Sequence, residues 1–299
     1  MSFITEFNNI MWGWVLAVIL IGTGLIYSLY LGFPQVRYFK NILLSIKSTL
    51  KSDEGVISGF GALCAAVGGL VGTGSLVGVA SALATGGPGS LFWMWVSAAF
   101  GMVISFSEAA LGQLFHEKGK DGNYYGGASY YMTNGIGNKP LAIAYAITTV
   151  IAVGVCIAML QNNSITASVT GLFNVSPWIP SIIVVIIAGI IIIGGVKRIT
   201  DVASLIVPFM AIIYILITIF IIVTHITQVP SMFAMIFKSA FSTEAAVGGV
   251  AGYTIKEAVR NGVARGLFSN DAGNGASATM HASAIVKHPA NQGFSAMFG

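Results

Sequence analysis

Glycine and hydroxyl residues are concentrated at one point of an otherwise apolar segment, where residues 68–78 read GGLVGTGSLVG. Glycine costs about 1 kcal/mol relative to alanine inside a helix, so this stretch predicts an interrupted helix. The freed N–H groups can bind a carboxylate, and the freed carbonyl groups can bind a small cation such as Na⁺. Paired small residues that let helices pack closely are the alternative. The candidate site residues are Val71, Gly72, Thr73, Gly74 and Ser75.

A second polar and glycine-rich stretch reads LFSNDAGNGAS at residues 267–277. An ionisable residue at membrane depth predicts a functional site, so Asp271 is a candidate ligand for a cation or for a substrate ammonium group. A loop outside the membrane is the alternative, because charged residues precede the stretch. The other candidates here are Phe268, Ser269, Asn270, Gly273, Asn274 and Gly275.

Isolated polar residues lie within other apolar stretches. Gln161 and Asn162, in LQNNSITAS at 160–168, are candidates for the wall of a pocket, with hydrogen bonding between helices as the alternative. Glu108 is a candidate gating or coupling carboxylate, or else a structural partner of a buried backbone group. His281 could titrate near neutral pH, although a lone histidine is more often structural.

The sequence shows no arrangement of residues typical of enzymatic catalysis. The stretch GTGSLVG departs from the G-x-G-x-x-G spacing of dinucleotide sites, and neither a nucleophile triad nor a cluster of metal ligands is visible. The net charge of +4 is not gathered in a basic tract. We therefore predict no catalytic residues and no nucleic-acid partner.

The composition is that of a polytopic helical membrane protein. Charged residues make up 8% of the chain and hydrophobic residues 56%, whereas soluble chains average about 25% charged residues. Such a chain has too few charges to cover a water-exposed surface, and its partners are predicted to include the lipid membrane. The predicted apolar spans are about 11–31, 57–85, 89–115, 141–172, 179–195, 201–224 and 242–286, and residues 293–299 resemble the start of another.

Connections that are rich in basic residues alternate along the chain with connections that are poor in them. The basic residues lie mainly in the loops that follow the first, third and fifth spans. The positive-inside rule therefore predicts that these loops are cytoplasmic and that the N-terminus is outside. Residues 33–52 carry apolar residues at helical spacing with basic residues between them, which indicates an amphipathic helix on the cytoplasmic membrane surface. An ordinary polar linker is the alternative.

An internal repeat is indicated by two stretches that lie 201 positions apart. GTGSLVGVASALATGGPG (72–89) aligns with GNGASATMHASAIVKHPA (273–290), so that two glycine pairs and one proline pair coincide. The predicted topology makes the two segments enter the membrane from opposite sides. Similar interrupted segments of opposite orientation predict an inverted repeat.

These motifs resemble the alanine/glycine:cation symporters, also called the sodium:alanine symporter family. The resemblance is carried by VGTGSLVGVASALATGGPGSLFWMWVSAAFGMVISFSEAALGQLF (71–115), DGNYYGGASYYM (121–132), GVARGLFSNDAGNGAS (262–277) and HPANQGFSAMFG (288–299). It implies an all-α, leucine-transporter-like fold with five-plus-five inverted repeats after one extra helix. Residues 11–31 would be that helix, 57–224 the first repeat and 242–299 the start of the second.

The resemblance also implies a function, namely sodium-coupled symport of small neutral amino acids such as alanine and glycine across the cytoplasmic membrane by alternating access. The segment Gly72–Ser75 would take the substrate carboxylate, and Gln161 and Asn162 would line the pocket. Residues 269–275 would hold the amino group or a cation, and Na⁺ would bind near Val71, Gly72 and Asp271.

The family is longer than this chain, with about eleven spans. We therefore expect the chain to be a truncated sequence that does not transport alone. Two other functions stay open. Protons could replace Na⁺ through Glu108 or Asp271, or the protein could be a membrane scaffold or sensor that transports nothing.

Overall fold

The computed structural model describes residues 2–49, 59–120, 122–241 and 255–298, and most of these described residues are helical. The helices of the first half are α1 Ser2–Ile10, α2 Leu16–Tyr30, α3 Pro34–Arg37, α4 Phe39–Thr49, α5 Gly59–Leu70, α6 Thr73–Gly86, α7 Gly89–Leu114 and α8 Ala128–Tyr130. Those of the second half are α9 Lys139–Thr149, α10 Ala158–Phe173, α11 Trp178–Ile193, α12 Gly195–Thr224, α13 Val229–Phe241, α14 Ile255–Asn270, α15 Ala276–Ala282 and α16 Pro289–Phe298.

The apolar helices are long enough to make the chain a multi-pass membrane protein. Among the described residues, four helical stretches have the length and composition needed to cross a membrane, namely Gly59–Gly86, Gly89–Leu114, Lys139–Phe173 and Gly195–Thr224. Leu16–Tyr30 and Trp178–Ile193 are shorter apolar helices. A span needs about 20 apolar residues because each adds about 1.5 Å to a helix. The prediction of an all-α membrane protein is confirmed.

Several elements were not predicted from the sequence. Helix α13 occupies a connection that we expected to be a loop. A two-stranded antiparallel hairpin joins β1 Glu117–Lys118 to β2 Tyr124–Tyr125. Widened π-helical turns, Met11–Val15 and Val150–Ile157, lie inside the first and fourth predicted spans, and another covers Tyr131–Gly135. Such turns keep the backbone hydrogen-bonded, so apolar periodicity does not reveal them.

Most of the residues predicted to lie at the membrane surface are also helical where they are described. Helices α3 and α4 cover Pro34–Arg37 and Phe39–Thr49 within the predicted amphipathic segment 33–52. Residues 50–52 lie outside the described part of the chain, as do 242–254 of the seventh predicted span. The membrane-surface position itself stays a prediction.

The described residues fall into two bodies. The first body comprises Met1–Ile42, Gly74–Ser105 and Phe209–Gly273, and the second comprises Leu43–Thr73, Phe106–Pro208 and Asn274–Gly299. The boundaries at 73/74 and 273/274 fall at the two glycine-rich stretches.

In the first body, helices α2, α7 and α14 pack around a small apolar core. Ala17, Val263 and Leu267 are buried there. The approach of α14 to α7 depends on glycine, because a Cβ at Gly266 would meet Met94 and Ser97. Glycine at this position removes the side chain that would otherwise hold the two helices apart.

Aromatic side chains hold α13 to the start of α7 in the same body. The ring of Phe92 lies 5.6 Å from that of Phe237 and 4.9 Å from that of Phe241, both in edge-to-face geometry. The indole N–H of Trp93 donates to the carbonyl oxygen of Ala240 at 3.3 Å. These contacts give α13 a tertiary partner, which explains a helix that apolar span prediction does not find.

In the second body, α5 packs against α15 and α16. Ala62 and Ala284 are fully buried there, with Val196 and Val286 against them. The end of α7 approaches α15 through Gly112, where a Cβ would lie 2.8 Å from the carbonyl oxygen of Ala278. Small residues therefore set the spacing between helices in this body as well.

Candidate functional site

The first glycine-rich stretch interrupts a helix, as the sequence predicts. The N–H of Val71 still donates to the carbonyl of Val67 at 2.8 Å, which is the regular helical pattern. The N–H of Gly72 instead donates to the carbonyl of Leu70 at 3.0 Å, and α6 starts at the next residue. For Thr73 the structure describes the backbone only. The helix therefore ends and restarts within two residues, which leaves the first-turn N–H groups of α6 without carbonyls of their own helix.

The second glycine-rich stretch forms a longer interruption between α14 and α15. Asp271, Gly273 and Gly275 have φ angles of 52°, 93° and 77°. These left-handed conformations cost glycine little and are tolerated by aspartate, which explains why these residue types occur here. The Oδ1 atom of Asn274 accepts a hydrogen bond at 2.7 Å from the N–H of Ala276, the first residue of α15.

In the first body, residues of both interruptions meet. The hydroxyl oxygens of Ser75 and Ser269 lie 2.9 Å apart in a hydrogen bond that joins residues 194 positions apart in the chain. Phe268 packs edge-to-face on Trp12, with ring centroids 5.8 Å apart. Two predicted site residues, Ser75 and Ser269, are thus brought together.

Asn270 adds a donor to this part of the first body. Its side chain lies over Gly101, where a Cβ would be 3.3 Å from Nδ2. The Nδ2 group is buried and makes no hydrogen bond within the described residues. Leaving a buried donor unsatisfied costs about 1–3 kcal/mol, so this amide is a natural candidate for contact with a polar ligand.

In the second body, Gly72 and Gln161 are in contact. A Cβ at residue 72 would lie 2.8 Å from Oε1 and 2.9 Å from Cδ of Gln161. The absence of a side chain at Gly72 is therefore what lets the carboxamide approach the interruption. The fourth apolar stretch thus contributes a polar group to the first glycine-rich stretch, although 89 positions separate them in the chain.

Asn162 has a different neighbour from Gln161. Its Nδ2 atom donates to the hydroxyl of Ser181 on α11 at 3.4 Å, and the hydroxyls of Thr166 and Ser181 lie 2.9 Å apart. These are hydrogen bonds between helices, the alternative that the sequence left open for this stretch. Adjacent residues of a helix point about 100° apart, which explains why Gln161 approaches Gly72 while Asn162 approaches Ser181.

Tyr145 is a residue of the candidate site that sequence reasoning missed. Its hydroxyl donates to the carbonyl of Asn274 at 2.7 Å. Its ring also closes the space over Gly275, where a Cβ would meet the hydroxyl. Helix α9 thereby contacts the second interruption through Tyr145. A single tyrosine in an apolar helix was the only local signal.

Buried polar residues of α7 and α15 support the second interruption. The amide of Gln113 donates to the carbonyls of His281 and Ala284, the latter at 2.8 Å, and so fastens the end of α15. His281 is fully buried, and Glu108 is buried on α7. The described residues include no group of three or more His, Cys, Asp or Glu that could hold a metal ion.

Comparison with known proteins decides the class. The profile of the sodium:alanine symporter family matches residues 1–299. This chain belongs to that family. A provisionally named sodium/proton-dependent alanine carrier protein of Bacillus subtilis is 41% identical over 292 residues, which are 98% of this chain and 59% of that protein.

Two further relatives of this family member are named for transport. An amino-acid carrier protein of Bacillus subtilis is 43% identical over 277 residues, covering 92% of this chain and 58% of the relative. A sodium/alanine symporter of Methanococcus maripaludis is 36% identical over 305 residues, covering 100% of this chain and 66% of the relative. The chain thus spans about three fifths of the length of its relatives. The family and these relatives are named as symporters or carriers and not as enzymes, which agrees with the predicted class.

Proposed function

We propose that this sodium:alanine symporter family member acts in Na⁺-coupled symport of small neutral amino acids, alanine and glycine among them, across the cytoplasmic membrane. The observation that carries the proposal is the pair of glycine-rich interruptions, one inside the apolar stretch Gly59–Gly86 and the other between α14 and α15. Broken helices at membrane depth are tolerated where their free backbone groups meet a substrate or an ion. The names of two relatives, which include sodium and alanine, support the choice of cargo.

The contacts in each body support an inverted repeat of the leucine-transporter type. In the first body α6, the second half of one broken helix, is joined to α14, the first half of the other, through Ser75 and Ser269. In the second body α5 packs on α15, which are the remaining halves. Each half thus pairs with the opposite half of the other helix, as expected for two repeats of opposite orientation.

The substrate carboxylate is proposed to bind the N–H groups at the start of α6, where a helix N-terminus favours an anion. The hydroxyls of Ser75 and Ser269 and the Nδ2 donor of Asn270 provide further polar contacts in the first body. In the second body, the carboxamide of Gln161 lies beside Gly72, and we propose it as a further polar contact for the substrate. Alternating access then consists of the two repeats moving about the bound substrate.

Na⁺ is proposed as the coupling ion, and Val71, Gly72 and Asp271 stay the residues that the sequence predicts to bind it. A hard cation prefers oxygen ligands, and a helix C-terminus such as that of α5 presents carbonyl oxygens. The sodium/proton-dependent description of one relative makes proton coupling the second candidate.

We also propose that the N-terminus is outside and the loop containing Lys118 and Lys120 is cytoplasmic, from the distribution of basic residues.

Calorimetric titration of alanine into the purified full-length protein, in Na⁺ and in choline buffer, tests this function. We expect binding in Na⁺ and at least roughly tenfold weaker binding in choline, since coupling free energies are typically about 1–3 kcal/mol. Equal binding in both buffers with uptake at acidic pH would favour protons. A flat titration in both would favour a non-transporting scaffold or sensor.

The variant Asp271→Asn tests whether this aspartate takes part in the Na⁺ dependence of alanine binding. Asparagine also tolerates the left-handed backbone at φ 52°, so the substitution removes the charge and leaves the turn intact. We expect the variant to lose most of the Na⁺ stimulation of alanine binding. Asp201→Asn, an exposed aspartate on α12, is the matched control and should bind as the wild type does.

A further inference from the structure

A cavity of about 280 Å³ opens in the second body, away from both helix interruptions in the sequence. Its walls come from β1, α8, the π-helical turn that follows, and α9. The cavity is slightly smaller than the ~300–1,000 Å³ of sites that enclose drug-sized ligands, so its room suits a small group. None of its lining residues belongs to the proposed substrate or ion site.

One wall of the cavity offers hydrogen-bond acceptors and a negative charge. The carboxylate of Glu117 accepts a hydrogen bond from Nδ2 of Asn134 at 2.7 Å, which orients it. The hydroxyl of Thr133 donates to the backbone carbonyl of Ser129 at 2.8 Å, so its oxygen lone pairs are left to accept. An anionic group among acceptors favours a ligand that is cationic and rich in N–H donors, such as a primary ammonium.

The part of the lining that α9 contributes is apolar, and α9 belongs to the helical stretch Lys139–Phe173, which is long and apolar enough to cross a membrane. Ala142, Ile143 and Ala146 of α9 line the cavity. Residues four apart share a helix face, so Ile147 continues the line from Ile143. Ile147 is 57% exposed and Ile143 60% exposed within the described part of the chain. An apolar strip of α9, formed by Ile143 and Ile147, therefore adjoins the cavity.

A basic residue is the third feature of this region, beside the acidic and the apolar parts of the cavity lining. Lys139, the first residue of α9, lies one turn before Ile143 on the same face. Acidic Glu117, basic Lys139 and the apolar strip match the ammonium, the phosphate and the acyl chain of one molecule.

We propose that this cavity binds the headgroup of an aminophospholipid. Its ammonium group lies at Glu117, its phosphate at Lys139 and its acyl chain along Ile143 and Ile147. A lipid is favoured over a free amine because the apolar strip continues beyond the cavity. The inference does not depend on the coupling ion or on the cargo of the symporter family.

The test compares lipids added to the full-length protein in detergent. Phosphatidylethanolamine and phosphatidylcholine differ in the N–H donors of the headgroup, and phosphatidylglycerol lacks the cation. We expect phosphatidylethanolamine to raise the Tm by roughly 2–4 °C more than the other two. Native mass spectrometry should show that phosphatidylethanolamine is retained preferentially.

Glu117→Gln removes the charge and keeps the shape of the side chain. Because a charge-assisted hydrogen bond contributes more binding free energy than a neutral one, we expect roughly tenfold weaker retention of phosphatidylethanolamine in this variant. Asp201→Asn, an exposed carboxylate elsewhere in the second body, should retain the lipid as the wild type does. Ile143→Trp, which fills the cavity from the apolar side, should reduce retention without a charge change.

Three outcomes would overturn the proposal. One is retention unchanged by both Glu117→Gln and Ile143→Trp. Another is equal stabilisation by phosphatidylethanolamine and phosphatidylcholine. The third is that soluble glycerophosphoethanolamine stabilises the protein as much as phosphatidylethanolamine does. The ligand of the cavity would then be a soluble amine and not a lipid.

Discussion

At the scale of single residues, each interruption has a glycine whose missing side chain leaves room for a polar group. Gly72 leaves room for the Gln161 carboxamide, and Gly275 leaves room for the Tyr145 hydroxyl. Both approaches bring a polar group from the fourth predicted span to a point where helical hydrogen bonds stop. A methyl group at either position would occupy the space of that polar group.

Gly72→Ala tests the closer of these contacts. The added Cβ would clash with the Gln161 side chain, and overpacking of this kind costs about 1–3 kcal/mol. We expect alanine affinity to fall at least roughly tenfold and the Tm to decrease. Calorimetry and scanning fluorimetry on the purified protein measure the two effects.

Gly69→Ala provides the matched control, since nothing lies within 4 Å of a Cβ at that position of α5. It should leave the Tm unchanged or raised, because alanine is the better helix former. The double variant Gly72→Ala with Gln161→Ala removes the clash and should recover stability but not affinity. Normal alanine affinity in Gly72→Ala alone would contradict the proposed role of the contact.

At the scale of elements, close helix packing in both bodies relies on glycine and alanine instead of large side chains. In a membrane, helices gain little from burying apolar surface against each other, so van der Waals contact at short distance has to supply the attraction. Gly262 and Gly266 place α14 on α7, and Gly112 places α7 on α15. Helix α7 thus contacts both halves of the second broken helix.

Gly266→Ala tests this dependence. The methyl group would meet Ser97 and Met94 on α7, so we expect a loss of about 1–3 kcal/mol of stability and a lower Tm. Gly189→Ala on α11 is the control, because no atom lies within 4 Å of its Cβ position. A Tm of Gly266→Ala equal to that of Gly189→Ala would show that the helices can separate without cost.

At the scale of the whole molecule, the distribution of charge predicts how the chain crosses the membrane. The turn between α10 and α11 carries no basic residue, whereas Lys197 and Arg198 follow α11 directly. The positive-inside rule then assigns these two connections to opposite sides of the membrane.

Cysteine labelling in intact cells checks that assignment. In a variant that lacks the exposed native Cys156, a membrane-impermeant maleimide should label Ser176→Cys from outside. Lys197→Cys should react only after the cells are permeabilised. Labelling of Lys197→Cys in intact cells, with Ser176→Cys protected, would invert the proposed topology.

The sequence by itself determined the membrane class, the family, the approximate helix positions and the two interruptions. These follow from composition and local order, because apolar length and glycine content act within one segment. Only the tertiary structure decided that Gln161 meets Gly72 while Asn162 meets Ser181, that Ser75 bonds Ser269, and that Tyr145 holds Asn274. Those pairings depend on how each helix is rotated and which distant segment lies beside it, and periodicity in a nearly uniform apolar span does not specify either.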